Sequence, residues 1–154
     1  MSLIITFDKS ETEGPTGQLV NVNFYFDGEH ETCSLPLDYW SLSDYISQWV
    51  SAISRIIDYR QPAMLVTSIH DPEIFTNLVA WVLYPVSDGS VKIQQHLLIH
   101  STFIVDHVFI RYESLLDREI ISIDGDAISE WTITLSDLPT ARQSLVDIKN
   151  LDML

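Results

Sequence analysis

One run of residues constrains this chain more than any other. Leu42, Tyr45, Ile46, Trp49, Val50, Ile53, Ile56 and Ile57 recur at three- and four-residue steps. That period marks one face of an α-helix. Ser43, Asp44, Ser47, Gln48, Ser51, Ser54 and Arg55 take the other face. Ser41 suits the N-cap, and Asp44 three residues on resembles a capping box and meets the positive end of the helix dipole. Pro62 stops the helix. The predicted helix spans about 42–58.

The rest of the chain reads mainly as strands. Leu3, Ile5 and Phe7 alternate with Ile4 and Thr6, and Val20, Val22, Phe24 and Phe26 alternate with Asn21, Asn23 and Tyr25. A period of two marks half-buried strands. Between them, Asp8 to Gln18 holds Gly14, Pro15 and Gly17 and reads as a loop. Asp27 to Glu31 reads as a charged turn, and Thr32 to Leu37 as a short strand. Ala63 to Ile69 is a continuous apolar strand, followed by a turn at His70-Asp71-Pro72-Glu73. Strands at Leu78–Tyr84 and Val91–Ile99 flank Asp88-Gly89, a hairpin signal. In the second of these, Val91, Ile93, Leu97 and Ile99 share a face, with Lys92, Gln94, His96, Leu98 and His100 on the other. Arg118–Ile123 and Ala127–Leu135 flank Asp124-Gly125 as a second hairpin. A final helix spans about 138–149, with Asp137 as N-cap and Leu138, Ala141, Leu145 and Ile148 inward. This order predicts an α+β fold with a largely antiparallel sheet and helices on one side. The 154 residues suit a single domain, 1–154.

Composition narrows the function. Twenty-two acids against eight bases give a net charge of −14. Nucleic-acid binding rests on Lys and Arg contacts to phosphate, so neither nucleic acid nor an anionic membrane is an expected partner. A basic protein would be steered toward such a surface. Cys33 is the only cysteine, which excludes an intrachain disulfide and fits a reducing compartment. The opening residues lack a secretory pattern, and the longest apolar run, Leu78 to Val86, falls short of the roughly 20 residues of a membrane span. These features predict a cytoplasmic protein.

Chemistry is sparse. His96 and His100 on one strand would stand about 13 Å apart, too far for one metal ion, and no cysteine pair or His-Glu-x-x-His supplies further ligands. Asp124-Gly125-Asp126 lacks the oxygen ligands of a calcium loop before its glycine. His107 beside Asp106 is the best acid–base candidate, but neighbours along a strand point to opposite faces. No nucleophile elbow, phosphate loop or dinucleotide fingerprint is present. No metal, no cofactor and no catalytic residue is expected.

Several phrases carry a family resemblance. Leu37-Asp38-Tyr39-Trp40-Ser41 leads into the helix with Asp44-Tyr45 and Gln48-Trp49. Thr67-Ser68, Asp71-Pro72, Trp81-Val82-Leu83-Tyr84 and Ile93-Gln94 follow, and Gly125-Asp126-Ala127-Ile128-Ser129-Glu130-Trp131 comes last. Over Leu37 to Leu135 the chain resembles the immunity proteins of bacterial contact-dependent growth inhibition. The resemblance implies a non-enzymatic protein that binds the C-terminal toxin domain of a delivered adhesin. Such toxins are often nucleases, whose basic clefts an acidic inhibitor complements. The aromatic residues of the signature, Tyr39, Trp40, Tyr45, Trp49, Trp81 and Trp131, fit packing better than contact. The expected toxin-binding residues are Glu113, Asp117, Glu119, Asp124 and Asp126, with Asp106, Asp71 and Glu73 beside them. The acids between Asp8 and Glu31 are the rival surface. The competing functions are a small hydrolase using His96, His100 or His107 with carboxylates, and an acidic adaptor subunit.

Overall fold

The computed structural model describes residues 3–8, 12–14, 17–26 and 28–151. Strands β1 (Leu3–Phe7), β2 (Thr12–Gly14), β3 (Gly17–Phe26) and β4 (Glu29–Pro36) come first. All pair antiparallel with β3 at the centre, β1 and β2 sharing one side and β4 the other. The expected loop before β3 is therefore partly a strand: Thr12–Gly14 folds back on Gly17–Leu19. The expected charged turn is shorter than its charges suggest, since β4 already begins at Glu29; Asp27 lies outside the described residues.

Helix α1 (Leu42–Tyr59) follows. The Ser41 hydroxyl accepts from the Asp44 amide, and the Asp44 carboxylate accepts from the Ser41 amide, closing the capping box. At its other end, Arg60 turns left-handed (φ 54°) two residues before Pro62. Then come β5 (Ala63–Ser68), β6 (Asn77–Pro85) and β7 (Ser90–Ile99), a one-turn helix α2 (His100–Phe103), and the small ribbon of β8 (Ile104–Asp106) and β9 (Phe109–Ile110). Strand β10 (Trp131–Thr134), a single 3-10 turn and helix α3 (Leu138–Asn150) complete the chain. Asp137 stands at the N-cap of α3 but makes no side-chain cap bond. Leu138, Ala141 and Leu145 are buried as expected.

The second large sheet has the order β10-β7-β6-β5, again antiparallel. Its β5 is a sheet edge buried inside the molecule, where unpaired backbone groups are costly. The register with β6 points the N–H and C=O groups of Met64 and Val66 away from the sheet. Side chains satisfy all four. Gln48 donates from Nε2 to Met64 O (2.8 Å) and accepts at Oε1 from Val66 N (2.9 Å). Trp49 Nε1 donates to Val66 O (2.8 Å), and Met64 N donates to the Tyr112 hydroxyl (3.3 Å). Farther along, Ile69 N donates to the Tyr45 hydroxyl, which donates in turn to Pro36 O.

Aromatic side chains fill the space around these bonds. Trp49 meets Phe7 and Phe24; Phe24 and Phe26 meet Trp81, which stacks on Trp131 at 5.3 Å. Trp40, Tyr45, Trp49 and Trp81 are buried, as their packing role requires, and Trp131 is half-buried. Tyr39 departs from that expectation: its side chain is exposed, with its ring edge against His100.

Replacing Gln48 with Met keeps the volume and strands two buried backbone groups. It should lower stability by about 2–6 kcal/mol, at about 1–3 kcal/mol for each unpaired group. A urea denaturation midpoint unchanged from the parent would refute this account of the edge.

Candidate functional site

Beyond β7 the chain leaves the sheet and returns only at β10. Of the intervening residues, Leu116, Glu119 and Glu130 bond to Tyr84 and Gln94 on one face of that sheet. Buried Gln94 donates from Nε2 to Glu119 O (2.7 Å) and to Glu130 Oε2 (2.8 Å). Arg118 closes a two-pronged ion pair with Glu130 at 2.6 and 2.8 Å. Tyr84 adds a long bond from its hydroxyl to Leu116 O. The Arg118 hydrogen bonds hold the Glu130 carboxyl below its usual range. Burial raises the Tyr84 phenol, and the negative potential of Asp117, Glu119 and Glu130 adds to that rise.

The second expected hairpin is smaller than its sequence pattern. Ser122–Asp126 forms a tight turn with Gly125 at φ 87°, and only one bridge, Ile121 to Ala127, flanks it. The Asp-Gly turn is present, but Arg118 and Glu119 are held by side-chain bonds instead of a ladder, and β10 starts only at Trp131.

The expected contact residues fall in several separate places. Asp117 and Glu119 line one groove, and Asp124 and Asp126 stand exposed at the tight turn. Asp106 is exposed on β8, and exposed Glu113 lies 3.7 Å from Arg111. Asp71 and Glu73 occupy the turn before β6, where the Asp71 carboxylate accepts from the Glu73 amide. Large apolar side chains stand exposed among the acids: Val105, Phe109, Leu116, Ile120, Ile121 and Ile123. Neither periodicity nor charge counting signalled them.

The groove beside Asp117 and Glu119 has a volume of about 340 Å³. One wall is the end of β7, from His96 to Ile99; Leu115, Leu116 and Ile128 face it, with Tyr84 and Phe103 also lining it. Leu97 and Ile99 share a face of β7 with Val91 and Ile93, as the alternation predicts. Val91 and Ile93 are buried, but Leu97 is 68% and Ile99 55% exposed. In the plane of the sheet, β10 pairs with β7 only from Ser90 to Ile93, so the far end of β7 also outruns its neighbouring strand.

Two carboxylate–imidazole pairs escaped the sequence reading, because their members are far apart in the chain. His70 Nδ1 lies 2.9 Å from Asp38, and His107 Nε2 lies 3.0 Å from Asp44. Asp44 already serves the capping box, so His107, at the left-handed tip of the β8–β9 turn, hooks that ribbon to the start of α1. His96 bonds Gln94 Oε1 at 3.1 Å. His100 is not on the strand with His96, as expected, but opens α2, buried. Among the described residues no group of three His, Cys, Asp or Glu side chains is placed to hold a metal ion. Burial, reinforced by Glu31, pushes the Cys33 thiol up to about 11, which keeps it protonated and a poor nucleophile.

The family described as the CdiI N-terminal domain matches residues 35–141. The chain belongs to the CdiI N-terminal domain family. The span that carries the sequence resemblance, Leu37 to Leu135, lies within that match. "Immunity protein CdiI" of Enterobacter cloacae subsp. cloacae is 28% identical over 134 residues, covering 84% of this chain and 90% of that protein. A chain of the solved CdiA-CT/CdiI toxin and immunity complex from Enterobacter cloacae has the same fold, with a TM-score of 0.78 at 21% identity over 94% of this chain and 99% of that one. CdiI proteins are inhibitors and not enzymes, and the same holds for this member of the family.

Burial lowers the affinity of His96 and His100 for a proton, against smaller opposing effects of Glu119 and Asp71. In the unfolded chain both titrate near 6.5. Below that pH the unfolded chain takes up protons that the folded one resists, so stability falls as pH drops. The lowered Glu130 carboxyl adds its own loss only below its ordinary 4.5. The urea midpoint should therefore fall between pH 7.5 and pH 5, and H96Q/H100Q should flatten the decline. An equal slope in parent and variant would show that these rings do not set it.

Proposed function

We propose that this chain neutralises the toxin domain of a contact-dependent growth inhibition adhesin in the cytoplasm. The toxin is read as a basic nuclease, and the inhibitor as a cover over its substrate cleft. The observation that carries this reading is the surface of residues 104–130. There Asp106, Glu113, Asp117, Glu119, Asp124 and Asp126 stand exposed beside apolar side chains, while Arg118, one of the segment's two arginines, is spent on Glu130. Apolar area gives affinity on release of water, and surrounding carboxylates steer a basic partner and set its orientation. Among the described residues no helix is long and apolar enough to cross a membrane, which accords with a cytoplasmic site of action.

Asp71 and Glu73 belong to the same proposal as secondary contacts, since their turn leads into β6 beside exposed Ile74 and Phe75. Arginine pairing and the Gln94 bonds pre-form the larger surface, so little ordering cost falls on association.

The test is co-purification with the toxin domain encoded beside this chain, then inhibition of its nuclease activity at equal molar ratio. Charge reversal of Asp117 with Glu119, and of Asp124 with Asp126, should slow association about tenfold or more at low salt and much less at high salt. A parent protein that fails to bind or inhibit the toxin would overturn the function. Parent-like association by both variants would leave the function standing and move the interface elsewhere.

A further inference from the structure

The exposed end of β7 differs from every other long edge in the second sheet. In its register with β6, the even-numbered residues of β7 bond inward: His100 N donates to Thr76 O, and Val86 N to Ser90 O. The odd-numbered residues therefore direct their N–H and C=O groups to the opposite side. For Val91 and Ile93 that side is filled by Ile133 and Trp131 of β10. For Gln95 and Leu97 it is not: β10 has ended, and no hydrogen bond from the described residues reaches these backbone groups. The apolar groove lies along this stretch, walled by His96 to Ile99 on one side and by Leu115, Leu116 and Ile128 on the other, with Asp117 and Glu119 at its rim.

We infer that this edge accepts an extended, basic segment of the partner protein as an added strand, seated in the groove and paired with Gln95 and Leu97. The inference rests on the proposed toxin binding and specifies how it is made. Strand addition takes affinity from main-chain hydrogen bonds and specificity from side chains at alternate positions. The groove offers both: a row of unpaired donors and acceptors, and apolar walls for every second side chain. Charge decides between occupants. An open edge invites a second copy of the same chain, but each copy carries −14 and would bring Asp117 and Glu119 against like charges. A segment with Lys or Arg flanking apolar residues meets the rim with opposite sign and buries its aliphatic stems along the walls.

The test uses the parent protein and the toxin domain. Hydrogen exchange of the Gln95 and Leu97 amides should be fast in the free protein and slowed at least tenfold in the complex. Leu97→Pro removes a donor that points out of the sheet, so the ladder with β6 keeps its bonds. It should weaken toxin binding about tenfold or more, the scale of one or two main-chain hydrogen bonds. Ser114→Trp, which fills the groove from an exposed position, should have the same direction of effect and guards against a misfolded proline variant. A complex that forms with parent affinity while both amides stay fast would overturn the inference and leave toxin neutralisation intact. Amides already slow in a free protein that sediments as a dimer would assign the edge to a second copy and overturn it too. A toxin domain that does not bind the parent at all would remove the function itself, and the added strand with it.

Discussion

The fold depends on what happens at the inner edge of β5. A strand at the end of a sheet carries a row of backbone groups that need partners, and here that row is shut away from water. Helix α1 supplies the partners through side chains. The Gln48 amide imitates one residue of a neighbouring strand, donating to one backbone group and accepting from the next. Trp49 extends the imitation with its indole, and Tyr112 reaches the same edge from the far end of the β8–β9 segment. Arg55 holds Tyr112 in turn, with its guanidinium 4.2 Å from the ring centre. Helix, sheet edge and excursion therefore share one polar seam inside an apolar core.

That seam explains the family signature in physical terms. Tyr45 and Trp49 look like one stripe of an amphipathic helix and Gln48 like its polar face, yet Gln48 and Trp49 donate to carbonyls of the β5 edge and Tyr45 to the Pro36 carbonyl at the end of β4. Asp44 caps the helix and meets His107 as well. The opposite side of the same sheet, at the end of β7, has no such cover. One protein thus contains a sheet edge closed by its own side chains and another left open beside a carboxylate rim.

How much of this was legible depends on the range of the forces involved. Helix α1, its capping box and α3 follow from local period and local hydrogen bonding, and they stand where the pattern puts them. The hairpin at Asp88-Gly89 likewise needs only its turn. The limits came from partners distant in the chain. Leu97 and Ile99 carry the same alternation as Val91 and Ile93, but they stand on the end of β7 that runs past β10, and their side chains are exposed. Gln48 reads as an exposed polar residue because nothing local reveals the strand it serves. Arg118 to Ile123 reads as a strand, and a single Arg–Glu pair with one buried glutamine holds it as a loop instead. The candidate site was legible as an acidic stretch. Its apolar half was not, because isolated Ile and Leu residues look the same in sequence whether a neighbour covers them or water does.

The pairing of Arg118 with Glu130 has a consequence for how the exposed turn tolerates damage. The two residues stand twelve apart, on either side of the Ile121–Ala127 bridge. A protease that cut the backbone within Ser122–Asp126 would not set the two new ends loose. The upstream end would stay tied through Arg118 and through the Glu119 carbonyl on Gln94, and the downstream end through Glu130 and β10. Ion pair and glutamine act together as a non-covalent staple, so a nicked chain would hold its shape although its backbone had been broken at its most accessible point.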